Sequence, residues 1–206
     1  MQMKLYFAAL SPFVRKVRVA AMELGLEGRI ELVTIASTPV AMNPDLVKIN
    51  PLGKLPALVT DDNDLLFDSA VIVEYLDALA GGGKIIPARG PERWRVKRTE
   101  ALADGMADAA VLMRYETALR PADKQWPDWI AGQKQKVTQA LDALEGQSWL
   151  FDDAADAGKI AAGCALGYLD LRFGDLGWRK RCETLARWYE KFAQRPSMAA
   201  TRPPPA

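Results

Sequence analysis

Apolar and polar positions change period several times along the first 80 residues, and each change marks an element. Residues 3–7 (MKLYF) predict a short strand. From Ser11-Pro12 onward, Val14, Val17, Ala21 and Leu24 recur at helical spacing as far as Gly25, which predicts a capped amphipathic helix. Residues 29–35 (RIELVTI) alternate in part, so the opening reads as a βαβ unit with a right-handed crossover. Residues 36–54 are rich in Pro, Asn and small side chains; they predict a flap with at most a short helix over 44–49. Two strands over 57–60 and 65–67, joined by the acidic turn Asp61-Asp62-Asn63-Asp64, predict a hairpin, and an amphipathic helix covers 69–79.

Gly81-Gly82-Gly83 then breaks the pattern, and the remainder carries helical periods over 91–119, 126–144, 160–171 and 182–192. The tail Arg202-Pro203-Pro204-Pro205 cannot continue a helix, because proline lacks the backbone donor. The expected organisation is an α/β domain over 1–80, a linker over 81–91 and an all-helical domain over 92–206.

Composition narrows the chemistry. The 206 residues are half hydrophobic and carry a net charge of +1, which gives no overall electrostatic case for binding nucleic acid or an anionic membrane. No stretch reaches membrane-spanning length. The run from Arg93 to Arg98 is the local exception, and it reads first as a solvated helix face. There is no histidine, so imidazole bases and His-ligated zinc are excluded. Cys164 and Cys182 lie far from any CxxC pattern; they read as reduced thiols, which points to the cytoplasm, and no metal is expected.

Three segments have candidate chemistry. Ser11-Pro12 is a good helix cap, yet a serine hydroxyl at the positive end of a helix can also donate to an anion such as a thiolate. Asn50-Pro51-Leu52-Gly53-Lys54-Leu55-Pro56 is either an ordinary turn or a loop in which a cis proline exposes backbone groups to an extended ligand. Asp68-Ser69 opens a helix; beyond capping, Ser69 could hold a carboxylate while Asp68 pairs with an ammonium group.

In order and spacing these segments resemble the glutathione S-transferase family: S-P-F-V-R-K-V after the first strand, N-P-L-G-K-L-P before the third, and D-S-x-x-I-x-E-Y-L opening the helix after the fourth. The resemblance continues through Ala103-Asp104-Gly105, residues 141–145 (LDALE) and residues 165–170 (ALGYLD), and is closest to bacterial serine-type members. It implies a thioredoxin-like N-terminal domain, an all-helical C-terminal domain and a homodimer. One position departs from the family pattern. Where the family commonly opens its sixth helix with a Ser/Thr-x-x-Asp box, the chain has Asp156 and Lys159, and Lys159 would put positive charge in the first turn.

Carried over by residue, the resemblance makes Ser11 the hydroxyl that stabilises the glutathione thiolate, with Phe13 as a wall. Leu55, before a cis Pro56, would pair with the cysteinyl part; Asp68 and Ser69 would hold the γ-glutamyl end, and Lys54 and the flap around Met42 the glycyl end. Asp104, Asp108, Met113 and Tyr115 are expected near the second-substrate pocket, with simple packing as the alternative for each. Glutathione is then the co-substrate, attacking a small apolar electrophile. Competing readings are glutathione-dependent peroxide reduction and a non-catalytic interaction module on the same fold. Serine at position 11 argues against thiol-disulfide exchange there, since a hydroxyl forms no mixed disulfide.

Overall fold

The computed structural model describes residues 2–204. Ser11 and Pro12 start α1 (Pro12–Glu23), and Gly25 follows it with φ +70°, a backbone geometry that favours glycine. The helix links β1 (Met3–Phe7) to the parallel β2 (Ile30–Thr34), with Met3 opposite Ile30 and Phe7 opposite Thr34. β3 (Ala57–Val59) pairs antiparallel with the other side of β1, and β4 (Leu65–Leu66) antiparallel with β3, so the sheet order is β2-β1-β3-β4. Between β2 and β3, α2 (Pro44–Ile49) is capped by Asn43 and buries Leu46. After β4, α3 (Ser69–Leu79) packs on α1.

The rest of the chain is helical. α4 (Pro91–Ala118) and α5 (Pro127–Glu145) pack against each other, and α6 (Ala157–Arg172) packs against both α4 and α1. α6 is buried without interruption from Ala157 to Leu169, as its run of small and apolar residues requires. α8 (Glu183–Phe192) covers part of the same core. The fold is therefore the expected thioredoxin-like sheet domain followed by helices.

Two elements escape the sequence periodicity: α7 (Trp178–Arg181) and α9 (Pro196–Ala200) are too short to show it. Tertiary contact holds α9, with Met198 buried and its carbonyl accepting from the Arg15 guanidinium at 3.0 Å. The proline tail carries no helix through Pro204, and Pro205 lies outside the described residues. No helix among the described residues is long and apolar enough to cross a membrane.

Two expectations are corrected. Lys159 does not weaken the start of α6. Asp156 caps the helix by accepting from Lys159 N–H at 2.9 Å, while the Lys159 ammonium is buried against the Asp152 and Asp156 carboxylates. Two acids nearby offset the charge that the first turn disfavours. Nor is the basic run simply solvated. Arg93 pairs with Glu74, Lys97 bridges Glu74 at 3.2 Å and Glu100 at 2.9 Å, and Arg95 lies 5.5 Å from the Trp149 ring centroid. Arg98 alone of its four cations points mainly to water.

α4 and α6 approach so closely that a Cβ on Gly158 would stand 2.8 Å from the Val96 carbonyl oxygen and 3.0 Å from Thr99 Cβ. Gly158→Ala should therefore lose up to about 2 kcal/mol of stability, because an overpacking cost of about 1–3 kcal/mol against backbone outweighs the helix-propensity gain of about 1 kcal/mol. Urea unfolding measures it, and a stabilised variant would show that the two helices part freely.

Candidate functional site

Register brings three segments to one end of the sheet. Tyr6 stands opposite Ala57 and Leu58 opposite Leu66, so the exit of β1, the entry to β3 and the exit of β4 lie side by side. Ser11 follows the first, Leu55-Pro56 precede the second, and Asp68-Ser69 follow the third. Segments separated by more than 40 residues in sequence are neighbours because antiparallel pairing aligns opposite strand ends.

A turn closed by Ser11 N–H donating to the Ala8 carbonyl at 3.1 Å leads into α1. Ser11 is extended, half-buried, and its Oγ accepts from Val14 N–H at 3.3 Å. The cap uses only an acceptor lone pair of the hydroxyl. Its proton can still be donated to an anion at the positive helix end, and no acidic residue in the first turn opposes that anion. Phe13 is half-buried beside it, packed on the core.

The Leu55–Pro56 peptide is cis. Pro56 is buried and Leu55 half-buried, and among the described residues no hydrogen bond uses the Leu55 N–H or C=O. A residue that leaves both backbone groups unpaired beside a strand can bind an extended peptide as one more strand would. The flap folds onto this loop: the Ser37 hydroxyl donates to the Gly53 carbonyl at 3.0 Å, and the Asn50 amide donates to the Lys54 carbonyl at 2.8 Å. Gly53 has φ +62°, and a Cβ there would meet Met42 Sδ at 3.1 Å, so Met42 reaches this loop because position 53 is glycine. The Lys54 side chain is exposed. Asp68 is exposed and caps α3 by accepting from Ala70 N–H at 3.1 Å, whereas Ser69 is buried.

α4 presents one face to these groups. Asp104, Asp108 and Tyr115 fall at helical spacings of four and seven residues. Burial pushes the Asp104 carboxyl up to about 6, against the pull of Lys16, whose Nζ lies at 2.6 Å; the Asp68 charge adds to the rise. Burial also raises Asp108, opposed by Lys54, with Asp68 again adding to it. Both carboxylates thus lie beside the end of the sheet that holds Asp68. Asp104 is nevertheless engaged in an ion pair between the two halves of the chain. Met113 is on the opposite side of α4, 6% exposed within the helical core, because it falls off the stripe shared by 104, 108 and 115. Burial raises the Tyr115 phenol.

The sequence reading missed Lys16, Tyr168 and Arg172. Lys16 is inside the S-P-F-V-R-K-V motif; its signal was the pair Glu100 and Asp104, one helical turn apart on one face of α4. Tyr168, edge-on to Phe173 at 6.5 Å between ring centroids, is raised by burial, while Arg172 and Arg114 hold it down and Tyr115 adds to the rise. Both cysteines are buried; burial pushes the Cys164 thiol up to about 11 and raises Cys182, so neither is a thiolate at neutral pH. Among the described residues no group of three or more His, Cys, Asp or Glu could hold a metal ion.

Comparison with known proteins shows the family to which the chain is similar. Residues 10–79 match the glutathione S-transferase N-terminal domain and residues 127–191 the corresponding C-terminal domain. The uncharacterized GST-like protein YibF of Escherichia coli (strain K12) is 37% identical, covering 99% of this chain and 100% of its own. A glutathione transferase family member from Pseudomonas fluorescens Pf-5, solved with bound glutathione, is 46% identical, covers 98% of this chain and 100% of its own, and superposes with a TM-score of 0.96. A second structure from that organism, with bound S-(propanoic acid)-glutathione, is 45% identical over the same shares, with a TM-score of 0.91.

Proposed function

The chain belongs to the glutathione S-transferase family, and from that membership we propose that it is a glutathione transferase in which the Ser11 hydroxyl stabilises the thiolate of bound glutathione. The carrying observation is Ser11 at the N-terminus of α1, its hydroxyl accepting from Val14 N–H with its proton free to donate, at the end of the sheet where Leu55 leaves its backbone unpaired. Leu55 would pair with the cysteinyl part, Asp68 and Ser69 would take the γ-glutamyl end, and Lys54 and Met42 the glycyl end. Residues 1–80 form the glutathione domain in this reading and 92–206 the helical domain. Apolar Leu65, Val71 and Trp94, exposed on β4, α3 and α4, support a homodimer. Glutathione-bound neighbours at 46% identity support the ligand.

In the reaction the thiol proton leaves to solvent, a sulfur lone pair forms an S–C bond to the electrophilic carbon, and either a leaving group departs with its bonding pair or the π bond at that carbon breaks, its pair moving to the neighbouring atom, which takes a proton. A free thiol titrates near ~8.5, and lowering it by about two units takes about 2.7 kcal/mol of preferential stabilisation of the anion. One charge-assisted hydrogen bond together with a helix N-terminus is of that order. The protein's own buried thiols do not compete for this role.

An ultraviolet titration of the thiolate band of bound glutathione tests the reading. The wild type should hold a thiolate at neutral pH, and Ser11→Ala should raise the bound thiol's pKa by about one to two units, with a loss of about 10- to 100-fold in kcat at pH 6.5. An unchanged pKa in the variant transfers the role to backbone amides; absence of glutathione binding overturns the proposal.

A further inference from the structure

Beyond the glutathione groups, the face of α4 continues from Asp108 to Tyr115, two turns or about 10 Å along the helix. α6 packs against this helix. Gly167 lies against the Arg15 guanidinium, one turn below Ser11, because Arg15 N–H donates to the Ser11 carbonyl at 3.0 Å. Tyr168 is the next residue, close to Tyr115, Arg114 and Arg172, and Phe173 backs it edge-on. Tyr115 and Tyr168 thus come together where α4 packs on α6, with two guanidinium groups beside them.

Those two cations lack acidic partners. Neither Arg172 nor Arg114 forms an ion pair among the described residues, and Asp170, the nearest acid in sequence to Arg172, is occupied by Arg179 at 2.7 Å and by Trp178 Nε1 at 2.9 Å. Arg172 Nε is buried without a hydrogen-bond partner. A buried donor left unpaired costs free energy comparable to a lost hydrogen bond, and a guanidinium fork matches a carboxylate in geometry and charge. An electrophile with an anionic end would supply the missing acceptor.

We infer that the second substrate carries a carboxylate or an equivalent anionic group on an apolar body, held by Arg172 with Arg114 beside the Tyr115 and Tyr168 hydroxyls. This rests on the transferase reading of the cleft and replaces its purely apolar electrophile with an amphipathic acid. Arg172 and Arg114 are then specificity determinants, because a neutral analogue leaves Arg172 unsatisfied while losing nothing at Ser11.

Calorimetric titration separates the two readings. The ligands are glutathione, its S-(4-carboxybenzyl) and S-(2-carboxyethyl) thioethers, and the carboxamide isosteres of both thioethers. In the wild type at least one carboxylate should bind about tenfold more tightly than its amide, the scale of a charge-assisted pair. Arg172→Gln should erase the preference while leaving the affinity for glutathione unchanged, and Arg114→Gln, at an exposed position, should reduce it. Equal binding of carboxylate and amide at both lengths, with glutathione still bound, overturns the inference and leaves the transferase reading intact. A protein that binds no glutathione overturns both.

Discussion

Lys16→Met should lower the free energy of unfolding by about 3–5 kcal/mol, the scale of breaking a buried ion pair from one side. The Lys16 ammonium is 1% exposed and touches Glu100 at 3.2 Å and Asp104 at 2.6 Å, joining α1 of the sheet domain to α4 of the helical one. Lys97 remains on Glu100 in the variant, but Asp104 has no other cation within ion-pair distance among the described residues. Methionine fills the space without offering charge. The triple variant K16M/E100Q/D104N should recover most of the loss, since a neutral, space-filling replacement of a buried triad is often neutral or stabilising. Denaturant unfolding of the three proteins decides the matter. A single-variant loss below about 1 kcal/mol, or a triple variant as unstable as the single one, would rule the electrostatic account out.

The pH dependence has a definite sign. Burial places the folded-state Asp104 carboxyl above its ordinary value of 3.8, at about 6. A group raised on folding contributes stability that is fully present below its unfolded value and is lost as pH rises through the folded one, here between about 4 and 6. Removing Lys16 removes the pull that held Asp104 down, so the variant's deficit should be larger at pH 8 than at pH 5. A deficit equal at both values would locate the effect in packing.

Asp77→Ala should cost about 3–4 kcal/mol and open the segment between the domains to protease. The Asp77 carboxylate, 4% exposed at the end of α3, accepts from Gly83 N–H at 2.8 Å, Lys84 N–H at 3.0 Å and Ile85 N–H at 2.8 Å. Gly81, Gly82 and Gly83 all have positive φ, so the chain turns back on the acid through a path that β-carbons would strain. Ile85 and Ile86 are then buried, and the Ile85 carbonyl accepts from Ala157 N–H at 2.9 Å, tying the segment to the start of α6. Alanine would leave three amides without their acceptor, and hydrogen bonds to a charged group are worth about 1.5–3 kcal/mol each, reduced where water can enter. Asp77→Asn, which keeps one carbonyl oxygen, should lose less. Chemical unfolding gives the magnitude and limited proteolysis the location; a variant with unchanged midpoint and no cleavage near residues 80–90 would show that the clamp is dispensable.

The N-terminal domain was legible to within one or two residues per element because its signals are local. Ser11-Pro12, Asn43-Pro44 and Asp68-Ser69 each cap a helix with their own side chains, so the start of α1, α2 and α3 is written in adjacent residues. Met113 shows where local reading stops. Its proximity in sequence to Tyr115 says nothing about facing, and a displacement of two residues turns a helical side chain through about 200° into the core. Lys159 shows the same limit for charge, since the acids that neutralise it are found only once the preceding loop is folded back.

By itself, then, the sequence determined the element order, the helix caps, the glycine break after α3 and the residue types gathered at one end of the sheet, because propensity, capping and turn chemistry act between neighbours along the chain. Only the tertiary structure decided which charges are buried in pairs, which face of α4 meets the sheet domain, and that Arg172 stands without an acid beside Tyr168. Those outcomes depend on contacts between segments dozens of residues apart, and the low dielectric that gives a charge its consequence exists only after the helices have packed around it.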